Sequence, residues 1–181
     1  MPRERAPATT QQAKALSHPM RLRILRLCQE REWSNAQLAQ RLRCDPSTLL
    51  YHARLLVAAG FLEQGEPRQG ASGATEKPYR ATGLSWDLDV RDDSVASAIL
   101  RAFLAELREA GPASLEEASR FVLHLDDGER QVLRQRLQAV LDDYDDTDEA
   151  RREQGHPPVG GLLVLHRVLP DPEGQEARPP T

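Results

Sequence analysis

Ser47, Tyr51 and Arg54 follow one another at intervals of four and three residues, so a helix would set them on one face. Thr48 and Leu50 flank them. Hydroxyls and a guanidinium can bind phosphate oxygens or base edges, and Leu50 can touch a thymine methyl. Leu49, Ala53 and Leu56 repeat the same spacing on the other side and predict a buried stripe. His52, next to Tyr51, can either contact DNA or pack at the helix edge. The plain alternative for the whole polar face is a solvated surface on a small helical bundle.

The neighbouring residues supply the elements that would position that face. Ser34 with Gln37 three residues on is a capping-box pattern, and Leu38, Ala39 and Leu42 give the helix it opens an apolar stripe. Arg43-Cys44-Asp45 predicts a turn. Asp45 and Pro46 open the next helix as N-cap and first residue, and Gly60 stops it. Phe61 to Gln64 reads as a strand and Lys77 to Ala81 as a return strand, with Pro78 restricting it to an edge or a poorly paired position. Between them lies a stretch of turn residues from Gly65 to Thr75. Two helices followed by a β-hairpin with a long tip form a winged helix. Arg68, Lys77 and Arg80 sit where a wing would reach a phosphate backbone.

Three segments carry a family resemblance. Residues 15–25 (ALSHPMRLRIL) resemble the opening helix of the ArsR-type winged-helix regulators, residues 45–56 (DPSTLLYHARLL) their recognition helix, and residues 59–63 (AGFLE) their step into the wing. The resemblance spans about residues 13–83. It implies a dimeric bacterial transcription regulator, in most cases a repressor released by an effector, and double-stranded DNA as partner. In that family a helix after the wing helps to form the dimer interface. Metal-sensing members carry cysteines one residue apart near the recognition helix; this chain has no such pair.

Charge divides the chain in two. Residues 1–83 hold thirteen Lys and Arg against seven Asp and Glu, a net of +6, whereas residues 84–181 hold eleven against twenty-one, a net of −10. A basic front half suits a polyanion, with binding that weakens as salt rises. The acidic half is expected to face away from DNA. With 39% hydrophobic but only 4% aromatic residues, Leu, Val and Ala must do most of the packing. No stretch is apolar enough to span a bilayer and no signal-like segment opens the chain, so a cytoplasmic protein without membrane contact is expected.

Cys28 and Cys44 argue for a reducing compartment rather than a disulfide framework. Cys28 reads as a small core residue; Cys44, in the turn, is open to either a structural or a thiol-sensing role. His18 reads as structural. His124 and His166 would approach only if the apolar runs that hold them pair. No zinc-like spacing is present, and the aspartates between Asp142 and Asp148 lack the pattern of a calcium loop, so no metal or cofactor is expected. Gly-rich phosphate loops, nucleophile elbows and paired Glu/His spacings are also missing, which argues against an enzyme.

In the back half, Val95, Ala98, Ile99, Ala102, Phe103 and Leu107 predict a helix over Ser94–Ala110. Val95, Ile99, Ala102 and Phe103 are the expected dimer-interface residues, with burial inside the chain as a reading that is compatible with that use. Arg120 to Leu125 and Val159 to Leu169 read as strands on either side of a helix running to about Glu153. The expected architecture is α+β: a disordered arm (1–12), a winged helix-turn-helix domain (13–86), a linker and dimerisation helix (87–111), a strand-helix-strand domain (112–170) and a disordered tail (171–181). The function this supports is a homodimeric repressor that reads an inverted repeat, with a small-molecule effector as a further candidate partner, seated between the wing module and the back half near Trp86, Phe103, Phe121 and the second strand. A winged-helix adaptor that binds protein instead of DNA is the alternative.

Overall fold

A computed structural model describes residues 5–70, 73, 75–90 and 92–168. The chain divides into a unit of residues 1–146 and a smaller unit of residues 147–181.

The first unit opens with a short strand, β1 (Ala6–Pro7), and a helix, α1 (Thr10–Leu16), started by a capping box between Thr9 and Gln12. The described part of the segment expected to be a disordered arm is therefore ordered. β1 pairs in parallel with β6 (Leu88–Asp89), a two-residue pairing between segments remote in sequence that periodicity does not announce. Next come α2 (Pro19–Glu30), α3 (Asn35–Leu42) and α4 (Pro46–Ala58). His18 caps α2, with Pro19 at the first helical position where its missing N–H costs nothing.

The turn between α3 and α4 is tight because Arg43 adopts a left-handed conformation, φ 51°. The Arg43 and Cys44 N–H groups thereby reach the carbonyls of Gln40 and Ala39. Gly60 ends α4 at φ +82°, a value that favours glycine, and the N–H groups of Gly60 and Phe61 close onto the carbonyls of Val57 and Leu56.

The chain then forms the wing. β2 (Leu62–Gln64) pairs antiparallel with β5 (Tyr79–Ala81), and β3 (Arg68–Gln69) with β4 (Thr75–Glu76). Pro78 precedes the paired stretch, so its missing donor is not needed there, and its carbonyl accepts from the Gly65 N–H at 2.8 Å. Trp33 adds a bridge to Tyr79 that makes the sheet edge three-stranded at this point.

The core lies where these helices meet the wing. Ile24, Leu38, Leu49, Ala53, Leu56 and Phe61 are fully buried. Helix α5 (Asp93–Ala110) packs on α2 and ends at Gly111, as its periodicity predicts. Val95 and Ala102, two of the expected interface residues, are buried within the same chain. Ile99 and Phe103 are half-buried, and the large exposed apolar residues of α5 are Leu100 and Leu104.

The back half departs from expectation. Helix α6 (Asp127–Asp145) starts at a capping box of Asp126 and Glu129, but residues 120–125 ahead of it form no strand. In the second unit α7 (Asp148–Glu153) is a separate short helix, and residues 159–168 form no strand either. A strand persists through its ladder of hydrogen bonds, and neither apolar run finds a ladder partner among the described residues. The strand-helix-strand unit is therefore replaced by helices and extended chain. Leu169 and the expected tail fall outside the described residues. No helix among the described residues is long and apolar enough to cross a membrane.

Candidate nucleic-acid interface

Helix α4 carries the sequence-predicted site. Its inner stripe, Leu49, Ala53 and Leu56, is 0% exposed, which fixes its rotation about its own axis. Ser47, Thr48, Tyr51 and Arg54 consequently point outward; Tyr51 is 61% exposed. Leu50 is half-buried at the margin of this face. The expectation for His52 as a DNA contact needs correction. It is 8% exposed and lies against His18, because its position on the helix falls next to Ala53 on the inner side.

The first turn of α4 is held from two directions. Asp45 accepts from the Ser47 N–H at 2.8 Å and from the Ser47 hydroxyl at 2.5 Å, so that hydroxyl's proton is already used while its lone pairs remain. The Ser47 hydroxyl, followed by the backbone donors, keeps the Asp45 carboxyl below the usual carboxylate range. From the other side Asn35 Nδ2 donates to the Pro46 carbonyl at 3.0 Å. At the far end Gln11 Nε2 donates to the Ala58 carbonyl at 3.0 Å, which ties α4 to α1. The Asn35 and Gln11 anchors were not legible from spacing, since their partners are backbone carbonyls remote in sequence.

On the wing, Arg68, Lys77 and Arg80 are all exposed. Arg68 pairs with Glu32 at 3.3 Å and Arg80 with Glu63 at 2.6 Å. Exposed pairs of this kind contribute little to stability, so each guanidinium can exchange its carboxylate for a phosphate. Lys77 has no ion-pair partner among the described residues. Arg31 stacks over the Trp33 ring at 3.8 Å at the base of the wing.

Helix α5 grips the domain by charge as well as by packing. Glu109 pairs with Arg23 of α2 at 2.6 Å and with Arg41 of α3, and Glu106 approaches Arg26 at 3.6 Å. At the N-terminal side Arg5 pairs with Asp142 of α6 at 2.6 Å and donates through Nε to the Trp86 carbonyl at 2.7 Å. Asp142 is 2% exposed, although it belongs to a run of aspartates that reads as a solvated helix end.

Neither cysteine has the electrostatics of a sensor. Burial pushes the Cys28 thiol up to about 12, and burial followed by the Asp45 charge raises Cys44. Of the residues expected to line an effector site, Trp86 is half-buried and Phe121 is 55% exposed on extended chain. A cleft of about 680 Å³ opens beside α1 and the start of α5, lined by Thr10, Lys14, Ser17, Asp89, Asp92 and Ser94.

Among solved structures the chain is similar to reduced HlyU from Vibrio cholerae, at 23% identity over 50% of this chain and 81% of HlyU, with a TM-score of 0.34. It is also similar to a doubly substituted apo form of ZitR from Lactococcus lactis, at 18% identity over 73% of this chain and 86% of ZitR, with a TM-score of 0.32. No match is found among curated proteins. The family model described as a helix-turn-helix domain matches residues 16–65, the segment that holds α2, α3, the Arg43 turn, α4 and the first strand of the wing. Residues 16–65 are a helix-turn-helix domain, continued by a wing.

Proposed function

We propose that the chain is a DNA-binding transcription regulator of the ArsR-like winged-helix kind, active as a homodimer and acting as a repressor on an inverted repeat. The observation that carries this reading is the outward set of Ser47, Thr48, Tyr51 and Arg54 on a helix whose opposite face is fully buried. The helix enters the major groove, and Arg54 and the hydroxyls meet base edges and phosphates. Arg68, Lys77 and Arg80 clamp the flanking backbone from the wing. A second copy docks on the exposed side of α5 at Leu100 and Leu104, and the two recognition helices then reach successive grooves about one turn apart. An effector would act by changing that separation.

Tyr51 and Leu50 also give the outer face an apolar part, which favours a second reading as a protein-binding adaptor. A gel shift with the promoter region of the protein's own gene separates the two. DNA reading predicts specific retardation that Arg54→Ala weakens while the fold, followed by circular dichroism, is kept. Absence of retardation at low salt would support the adaptor.

A further inference from the structure

Two histidines meet at the inner edge of α4, His18 exposed to solvent and His52 buried. His18, in the bend between α1 and α2, lies against His52 with ring centroids 4.5 Å apart and planes tilted by 36°. His18 Nδ1 accepts the Met20 N–H at 3.1 Å and so caps α2. An accepting Nδ1 places the proton of the neutral ring on Nε2. His52 is buried, and its Nδ1 is among the buried atoms without a hydrogen-bond partner. Tyr51 stands edge-on to it at 5.4 Å. The charged groups that face the pair are both positive: Arg21 from α2 and Arg101 from α5.

We propose that the His18–His52 stack is a proton-operated latch that holds α4 against the start of α2 only while both rings are neutral. A proton on His18 Nδ1 would turn the cap's acceptor into a donor facing the Met20 N–H. A proton on His52 would place a charge in a buried site beside the Arg21 guanidinium. Protonation of both would set two cations in ring contact. Burial first, then the neighbouring cations, holds both imidazoles below their ordinary range. The folded state therefore binds fewer protons than the unfolded chain. The latch's contribution is complete above about pH 6.5 and is lost as the pH falls through the lowered values.

The latch stands on the packing alone; its consequence for DNA rests on the reading of α4 proposed above. With that reading, acidification weakens specific binding by up to roughly tenfold per pH unit for each proton taken up. Simple charge balance predicts the reverse, since added positive charge strengthens attachment to a polyanion.

The test uses the full chain, its His18→Asn variant, which keeps a capping acceptor, and the His18→Asn/His52→Phe double variant. Urea midpoints are measured across the pH range of imidazole titration, imidazole titrations are followed by NMR, and binding is measured to a duplex of the protein's own promoter. The expected result is a wild-type midpoint that falls with pH, an attenuated fall in His18→Asn and a still flatter one in the double variant, with binding following the same order. Retarded DNA at neither pH, together with a histidine-dependent midpoint, would support the latch and overturn the DNA reading. A double variant as pH-sensitive as the wild type, or rings that titrate at the ordinary imidazole value, would overturn the latch. Should the double variant fail to fold, the NMR titration of the wild type and the slope of His18→Asn decide the matter.

Discussion

Asn35 Nδ2 donates to the carbonyl of Pro46, so the first turn of α3 holds the first turn of α4 at 3.0 Å. The bond spans the helix-turn-helix across the turn in which Arg43 occupies the left-handed region. Asn35→Ala removes an exposed hydrogen bond and should cost about 0.5–1.5 kcal/mol of stability. If α4 reads DNA, specific affinity should fall by more than that stability loss implies, because the misplacement occurs at the contact itself. Paired denaturation and binding measurements check this; an Asn35→Ala protein of unchanged affinity would show that the bond is structural alone.

Arg54 and Lys77 should behave differently. Arg54→Ala is expected to cost about 1–3 kcal/mol on the preferred duplex and to relax base preference. Lys77→Ala should weaken all duplexes alike and lower the salt slope by about one counterion. Binding isotherms at several salt concentrations check both. A change of base preference in Lys77→Ala would move that residue from the phosphate backbone to a base edge.

The helix-turn-helix was legible before the structure because its determinants are local. Leu49, Ala53 and Leu56 read as a core stripe from spacing alone, and all three are fully buried. The Ser34 capping box, the Asp45-Pro46 start and the Gly60 stop also form as their residue types require. His52 misled because the angular step between adjacent helix residues puts it close to either face; its burial was decided by His18, from a different element. Asp142 misled for the same kind of reason. Its partner Arg5 lies 137 residues away, and a cluster of aspartates reads as solvent-exposed unless a cation from elsewhere covers one of them.

The Arg5–Asp142 pair gives a test of its own. Arg5 is 17% and Asp142 3% exposed in their side chains, and Gln138 also donates to the same carboxylate oxygen. Arg5→Ala withdraws the charged donor from a buried carboxylate and should cost about 1.5–3 kcal/mol. Urea denaturation checks the magnitude, and limited proteolysis should cut the chain ahead of α6 sooner than in the wild type. Unchanged stability and cleavage would mean that α6 is held by its other contacts.

The two faces of α5 predict opposite outcomes. Val95→Asp places a carboxylate where exposure is 1% and should unfold the first unit. Leu104→Glu acts on a residue 46% exposed and should leave the fold intact while dissociating the proposed dimer. Sedimentation and circular dichroism separate the two. A folded Leu104→Glu protein that keeps its dimer would place the interface elsewhere.

Neither thiol should act as a redox switch. With Cys28 at about 12 and Cys44 raised by burial and by Asp45, both are protonated at neutral pH, and thiolate is the reactive form. Alkylation of the native protein at pH 8 should be slower than that of glutathione, and mild peroxide should leave DNA binding unchanged. Rapid modification of Cys44 with loss of binding would restore the sensor reading.

NMR mapping of a titration with promoter duplex at low salt tests the central proposal most directly. The account predicts perturbed signals at Ser47, Thr48, Tyr51 and Arg54 and along the wing at Arg68, Lys77 and Arg80, with α6 unmoved. Shifts confined to α5 or α6, or no shifts at all under those conditions, would contradict it.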